Sequence, residues 1–146
     1  MVTLNKIYTK TGDEGTTALG NGVRTKKFAL RVNTYGSVDE LNSNVGVAAY
    51  YASSSIQTDL MDIQNDLFDL GADFCTPISI EKQDHDRSEL RISHSQVSRL
   101  EKQIDSMNKS LEPLKSFVLP GGSISACHLH LCRTVCRRVE RYAVEL

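Results

Sequence analysis

The chain is 146 residues long and 40% hydrophobic, with 17 lysines and arginines against 18 acids and a formal net charge of −1. That is enough chain and apolar content for one globular domain with a real core, and the near-neutral balance excludes a nucleic-acid binder that works through bulk charge. No apolar run approaches a membrane span, and the first residues carry neither a signal-peptide core nor an Arg-rich amphipathic leader, so a cytoplasmic protein with no membrane partner and with reduced cysteines is expected.

Residues 9–17, TKTGDEGTT, combine two glycines, four threonine hydroxyls and one lysine without an apolar period. Glycine lets backbone N–H groups turn inward, hydroxyls donate and lysine supplies charge, so the stretch can wrap an anion. It lacks the Walker A spacing, and taken alone it also fits an ordinary glycine turn. Arg24, Lys26, Lys27 and Arg31 continue the basic character. Residues 1–36 together read as an extended segment.

Helices follow. Ser37 is a candidate N-cap for a helix carrying Val38, Leu41, Val45 and Ala48, with Asp39 and Glu40 as first-turn acids that complement the helix dipole. Ile56, Leu60, Ile63, Leu67, Leu70 and Phe74 advance by fours and threes, a bundle-type seam that Pro77 stops. Residues 77–93 are polar and aperiodic and read as a mobile surface loop. Ser93 with Gln96 forms a capping-box signature ahead of Val97, Leu100, Ile104, Met107 and Leu111, and Pro113 marks the end of that helix. Phe117, before the PGG turn, reads as a buried aromatic.

The last helix places Arg133, Arg137 and Arg141 four residues apart on one face, opposite a stripe of His128, Leu131, Val135, Val139 and Tyr142. Stacked guanidiniums repel unless anions neutralise them, and their planar forks suit phosphate or carboxylate oxygens; a solvated surface face is the alternative. His128, Cys132 and Cys136 fall at i, i+4 and i+8, a spacing open to soft-metal ligation. No neighbouring cluster completes a tetrahedral site, so packed small residues are the simpler reading and no metal ligand is assigned. Two separate phosphate-friendly segments in one small chain favour a shared, small anionic ligand.

The order of YTKTGDEGTT, RVNTYGSVDELN, IQNDLFDLGADF, LKSFVLPGG and HLCRTVCRRVER resembles the ATP:cob(I)alamin adenosyltransferases of the propanediol-utilisation and methylmalonic aciduria type B family, over nearly the whole chain. The resemblance implies a single all-α domain over residues 1–146, an up-and-down helical bundle that assembles as a homotrimer with active sites between subunits. It implies transfer of the 5′-deoxyadenosyl group of ATP to cob(I)alamin, giving adenosylcobalamin and triphosphate, with Mg²⁺ on the phosphates. A flavoprotein reductant and a cobalamin-dependent acceptor of the product are implied as partners. Thr9, Lys10, Thr11, Gly12, Thr17, Ala18 and Lys27 match ATP-contacting positions of the family's N-terminal motif, and Arg137, Arg138, Glu140 and Arg141 match those of its late helix. Asp39 and Arg133 match a salt bridge across the subunit interface, and Phe117 an aromatic beneath the corrin that displaces the lower axial ligand and eases reduction to Co(I). Relatives continue into a fifth helix that this sequence, ending at Leu146, does not contain, so a noncatalytic carrier or sensor of ATP and cobalamin is the competing reading.

Overall fold

The computed structural model describes residues 6–78 and 90–146. Among them are a short antiparallel hairpin, β1 (Thr16–Ala18) and β2 (Arg24–Lys26), and four helices: α1 (Leu30–Tyr50), α2 (Ser54–Cys75), α3 (His94–Asn108) and α4 (Ile124–Glu145). Most of the surface-loop expectation for residues 77–93 falls on 79–89, outside the described residues. The hairpin is a departure from an all-helical reading. It pairs Thr16 with Lys26, Thr17 with Thr25 and Ala18 with Arg24.

The central helix is α1. It buries Thr34, Val38, Leu41, Asn42, Val45, Ala48 and Ala49 between α2 and α4. This helix begins at Leu30, so the extended segment stops at Ala29 rather than at residue 36, and Ser37 lies inside the helix instead of capping it. Asp39 and Glu40 are therefore not first-turn acids. Tertiary packing overrides the weak local propensity of the Asn-Thr-Tyr-Gly run: Thr34 is fully buried and donates its hydroxyl to the Leu30 carbonyl at 2.9 Å, which lets a polar side chain occupy the first core position. With Thr34 included, the seam runs 34, 38, 41, 45, 48 at helical spacing.

Helix α2 runs antiparallel to α1. Asn42 Nδ2 donates to the Gln64 carbonyl at 3.1 Å, and Gln64 Nε2 donates to the Asn42 carbonyl at 3.2 Å. The reciprocal pair is possible because Gly46 leaves room for it; a Cβ there would meet Gln64 Nε2 at 3.0 Å. Further along, Arg31 donates to the Phe74 carbonyl at 2.8 Å and satisfies a backbone acceptor near the end of α2.

Helix α4 starts at Ser123, whose hydroxyl accepts from the Ala126 N–H at 3.2 Å. It also packs antiparallel on α1, with His128 stacked on Tyr51 (centroids 5.3 Å apart, 6° between planes) and Arg138 ion-paired with Glu40. Its buried stripe is Cys132, Val135 and Val139 with Leu129 packed beside them. Leu131, expected in that stripe, is 47% exposed. Cysteine behaves here as a small hydrophobe, and the sequence 128, 132, 135, 139 keeps the helical period better than one through 131.

Helix α3 is held differently. It buries no residue, and its link to α2 is polar: Asp59, Asp66 and Asp73, seven residues apart on α2, accept from the segment that contains α3. Gln103 donates to Asp59 at 2.8 Å, Gln96 to Asp66 at 3.1 Å with Arg99 ion-paired to the same carboxylate, and Arg91 to Asp73 at 2.6 Å. The order makes α3 antiparallel to α2, which completes an up-and-down arrangement. The expected capping box of Ser93 and Gln96 is formed.

Candidate functional site

The hairpin and the loop before it enclose a cleft of about 460 Å³, within the ordinary range for small-molecule sites. Its walls include Thr9, Lys10, Thr11, Gly12, Thr17, Ala18 and Lys27, all seven positions marked in the N-terminal motif. Tyr8, Asp13, Thr16 and Arg24 line it as well. Of these four, Asp13 and Thr16 lie within the anion-wrapping stretch 9–17 and Arg24 in the basic run that follows it; none was marked individually, and Tyr8 joins the cleft because the loop folds back on the strands.

Local chemistry explains the loop's shape. Lys10 adopts a left-handed conformation, φ 59°, a strained choice for a side-chain-bearing residue. Its ammonium lies 5.7 Å from the centroid of the Tyr8 ring, a cation–π distance. The hydroxyls of Thr9 and Thr11 are 2.9 Å apart. The Gly15 N–H donates to the Gly12 carbonyl at 3.1 Å, closing a turn that needs φ +78° at Gly15. Gly12 sits so close to Lys27 that a Cβ would stand 3.0 Å from Nζ. Arg24 binds the loop to β1: its Nη2 donates to the Thr11 carbonyl at 2.6 Å, to the Thr16 hydroxyl at 2.6 Å and to the Thr16 carbonyl at 3.2 Å.

The hairpin is anchored to the bundle where α1 begins and α2 ends. The Gly20 N–H donates to the Cys75 carbonyl at 2.8 Å. Burial and the Cys75 thiol push the Tyr35 phenol above its ordinary range, while a side-chain hydrogen bond from Thr17 pulls the other way. Because α4 is antiparallel to α1, its arginine-bearing end comes to the same end of the bundle. Glu40, which holds Arg138, is five residues from Tyr35 along α1, about 8 Å at 1.5 Å per residue.

On α4, Arg133, Arg137 and Arg141 are exposed. Arg137 is ion-paired with Glu140, and Arg141 donates to the Arg137 carbonyl at 3.0 Å. Arg138 is directed instead onto α1 through Glu40. Within the chain, among the described residues, Asp39 and Arg133 do not pair, and no hydrogen bond or ion pair joins the cleft to the arginines of α4. Phe117, read from the sequence as buried, is fully exposed, and its apolar neighbours are exposed in large part: Leu114 is 79%, Val118 56% and Leu119 93% exposed. The segment folds away from the core, so nothing in the chain covers these side chains among the described residues.

Of the soft-ligand spacing on α4, Cys132 packs in the core while Cys136 is exposed. The His128 ring lies flat against Tyr51, and burial pushes the Cys132 and Cys136 thiols up, away from the thiolate form that ligates metals. Among the described residues, no group of three or more His, Cys, Asp or Glu side chains is arranged to hold a metal ion. No described helix is long and apolar enough to cross a membrane.

Comparison with known proteins converges on one family. A family model described as cobalamin adenosyltransferase matches residues 7–146. A corrinoid adenosyltransferase of Mycobacterium tuberculosis is 48% identical over 144 residues, covering 97% of this chain and 73% of the relative. One from Bacillus subtilis is 43% identical over 146 residues, covering 97% and 72%. Among solved structures, a variant PduO-type ATP:corrinoid adenosyltransferase from Lactobacillus reuteri, complexed with cobalamin and ATP, superposes with a TM-score of 0.85 at 38% identity over 96% of this chain and 77% of that one.

Proposed function

The chain belongs to the cobalamin adenosyltransferase family, and from that premise we propose that the hairpin cleft is its ATP site. The protein transfers the 5′-deoxyadenosyl group of ATP to cob(I)alamin, giving adenosylcobalamin and triphosphate. A Co(I) electron pair forms the cobalt–carbon bond at C5′ while the C5′–oxygen bond breaks and its electrons leave with triphosphate. The nucleophile is already strong, so no side chain needs to be activated. What the protein supplies is in-line positioning and stabilisation of the charge that gathers on the leaving group.

The observation that carries this reading is the cleft itself: seven motif positions scattered over residues 9–27 line one hollow. Lys10 and Lys27 supply charge, and the threonine hydroxyls and the Gly12 amide supply donors. Arg137 and Arg141 are the late-helix groups suited to the same triphosphate, with Glu140 orienting Arg137; Arg138 contributes through α1. Among the described residues, Asp13 is the carboxylate lining the cleft, beside hydroxyls. That donor set fits Mg²⁺ carried by phosphate and water with one or two protein oxygens, not an all-protein cage. When bound, Mg²⁺ neutralises charge on the departing triphosphate.

The functional unit in this reading is a homotrimer, in which Asp39 of one subunit meets Arg133 of the next and the α4 arginines of one chain complete the cleft of another. Both side chains are exposed and unpaired with each other within the chain, which is the disposition an intersubunit pair requires. Phe117, exposed, is available to the lower face of the corrin. The protein is placed in the cytoplasm, where a flavoprotein reductant supplies Co(I) and a cobalamin-dependent enzyme takes the product.

The test is turnover: ATP and chemically reduced cobalamin are mixed with the protein, and formation of the cobalt–carbon bond is followed optically. Product is expected, and Arg137→Ala should weaken ATP use with unchanged helical content. Binding of both ligands without product would refute catalysis and leave a carrier.

A further inference from the structure

We propose that Arg24 is a positioning residue for ATP, acting through the Thr11–Gly12 peptide of the cleft loop; the proposal rests on the adenosyl-transfer reading above. The argument begins with where its hydrogen bonds go. All three Nη2 contacts and the Nε contact at 3.2 Å end on neutral acceptors, the Thr11 carbonyl and the carbonyl and hydroxyl of Thr16. Among the described residues, Arg24 makes no ion pair. An exposed arginine whose hydrogen bonds all go to the carbonyls and hydroxyl of a loop is holding backbone geometry.

That geometry matters at one peptide above all. In a trans peptide the C=O and the following N–H point in opposite directions. With the Thr11 oxygen held 2.6 Å from Arg24 Nη2, the Gly12 N–H is aimed the other way, and it makes no hydrogen bond within the chain among the described residues. Gly12 lines the cleft and has no side chain to shield the amide. A preset, unspent backbone donor beside Lys27 is the arrangement that binds phosphate oxygens well. Arg24 therefore fixes the direction of a donor, and it also spans the loop and both strands, since Thr11, Thr16 and Arg24 itself lie on the three segments that form the wall. The planar fork is needed because several acceptors must be met in fixed directions; a lysine ammonium supplies charge without that geometry.

Three proteins decide it: the parent, Arg24→Ala and Arg24→Lys. Initial rates are measured with ATP and with cob(I)alamin varied in turn, and thermal midpoints are recorded for all three. Arg24→Ala should raise KM for ATP at least tenfold while KM for cob(I)alamin stays within twofold and kcat within threefold. Its melting should stay within a few degrees of the parent, since the hairpin is outside the core formed by α1, α2 and α4. Arg24→Lys should recover less than a third of the loss. In the parent, the backbone N–H resonance of Gly12 should shift on titration with inorganic tripolyphosphate, and in Arg24→Lys that shift should shrink. A KM for ATP within twofold of the parent in Arg24→Ala, or parent-like values in Arg24→Lys, would overturn the proposal. Should Arg24→Ala fail to fold, the lysine variant and the Gly12 resonance still decide. A parent that makes no product but shows the Gly12 shift would sink the adenosyl-transfer reading and leave the Arg24 assignment standing.

Discussion

Replacing Gly12 by alanine tests the cleft at its tightest point. The added methyl group would stand 3.0 Å from Lys27 Nζ, 3.1 Å from Lys27 Cε and 3.1 Å from the Thr16 carbonyl oxygen, where ordinary contact begins at 3.4 Å. The carbonyl is backbone, held by the strand and by Arg24, and yields little. The lysine head is flexible and moves out. Its displacement removes one charge-assisted contact to phosphate, worth about 1.5–3 kcal/mol; at this open site the lower end applies, roughly tenfold in KM for ATP. Gly15→Ala is the control. Nothing lies within 4 Å of a Cβ there, but φ is +78°, so alanine costs about 1–2 kcal/mol of backbone strain while its methyl makes no contact with the Lys27 side chain; the Gly15 carbonyl keeps the Lys27 N–H at 3.0 Å. Initial rates against ATP at saturating cob(I)alamin, with thermal midpoints, compare the two. A KM within twofold of the parent for Gly12→Ala, or an equal rise in both variants, would refute the steric reasoning.

Other perturbations probe the remaining parts. Phe117→Ala should leave the thermal midpoint unchanged, because the ring is fully exposed, and should slow product formation from Co(II) under reduction more than from prereduced Co(I); equal slowing of both would remove the corrin role. Asp39→Arg and Arg133→Asp should each loosen the trimer, seen by analytical ultracentrifugation, and the double exchange should restore part of it, whereas strictly additive damage would mean that the two side chains never meet. Two thiols of α4, Cys132 buried and Cys136 at the surface, give a pH signature. Cys132 and Cys136 have folded-state pKa values raised by burial, so their contribution to stability is complete below the ordinary thiol range and is lost as pH rises through the raised values. The thermal midpoint should therefore fall more steeply on the alkaline side in the parent than in a Cys132→Ala/Cys136→Ala variant, and parallel curves would contradict the assignment.

Much of this architecture was legible because it was written in apolar spacing or in caps. The seam from Ile56 to Phe74 and the Ser93–Gln96 box correspond to α2 and to the start of α3. The start of α1 was hidden for a physical reason: its first core position is Thr34, whose hydroxyl is satisfied inside the helix, so a polar residue interrupted the visible period. The hairpin was hidden because two three-residue strands carry no alternation that a window can register. The motif residues of the cleft were readable one by one, but Arg24 was not separable from its basic neighbours until the direction of its hydrogen bonds was known. Phe117 misled because a large apolar residue defaults to burial, and only the path of the chain reveals that no core lies beneath it.

The polar ladder between α2 and α3 sets how the molecule opens. Helices α1, α2 and α4 share an apolar core, so separating any of them exposes that core to water. Detaching α3 uncovers no fully buried side chain of its own, since α3 has none; water and ions replace the lost partners of Asp59, Asp66 and Asp73 directly. The free energy of that local opening lies well below global unfolding. Amide hydrogens in residues 94–108 should accordingly exchange with solvent deuterium before those of α1, and faster as salt screens the Arg99–Asp66 and Arg91–Asp73 pairs. The bundle thus carries one helix as a separately cooperative unit, attached by charge and hydrogen bonding to a three-helix body that keeps its own integrity.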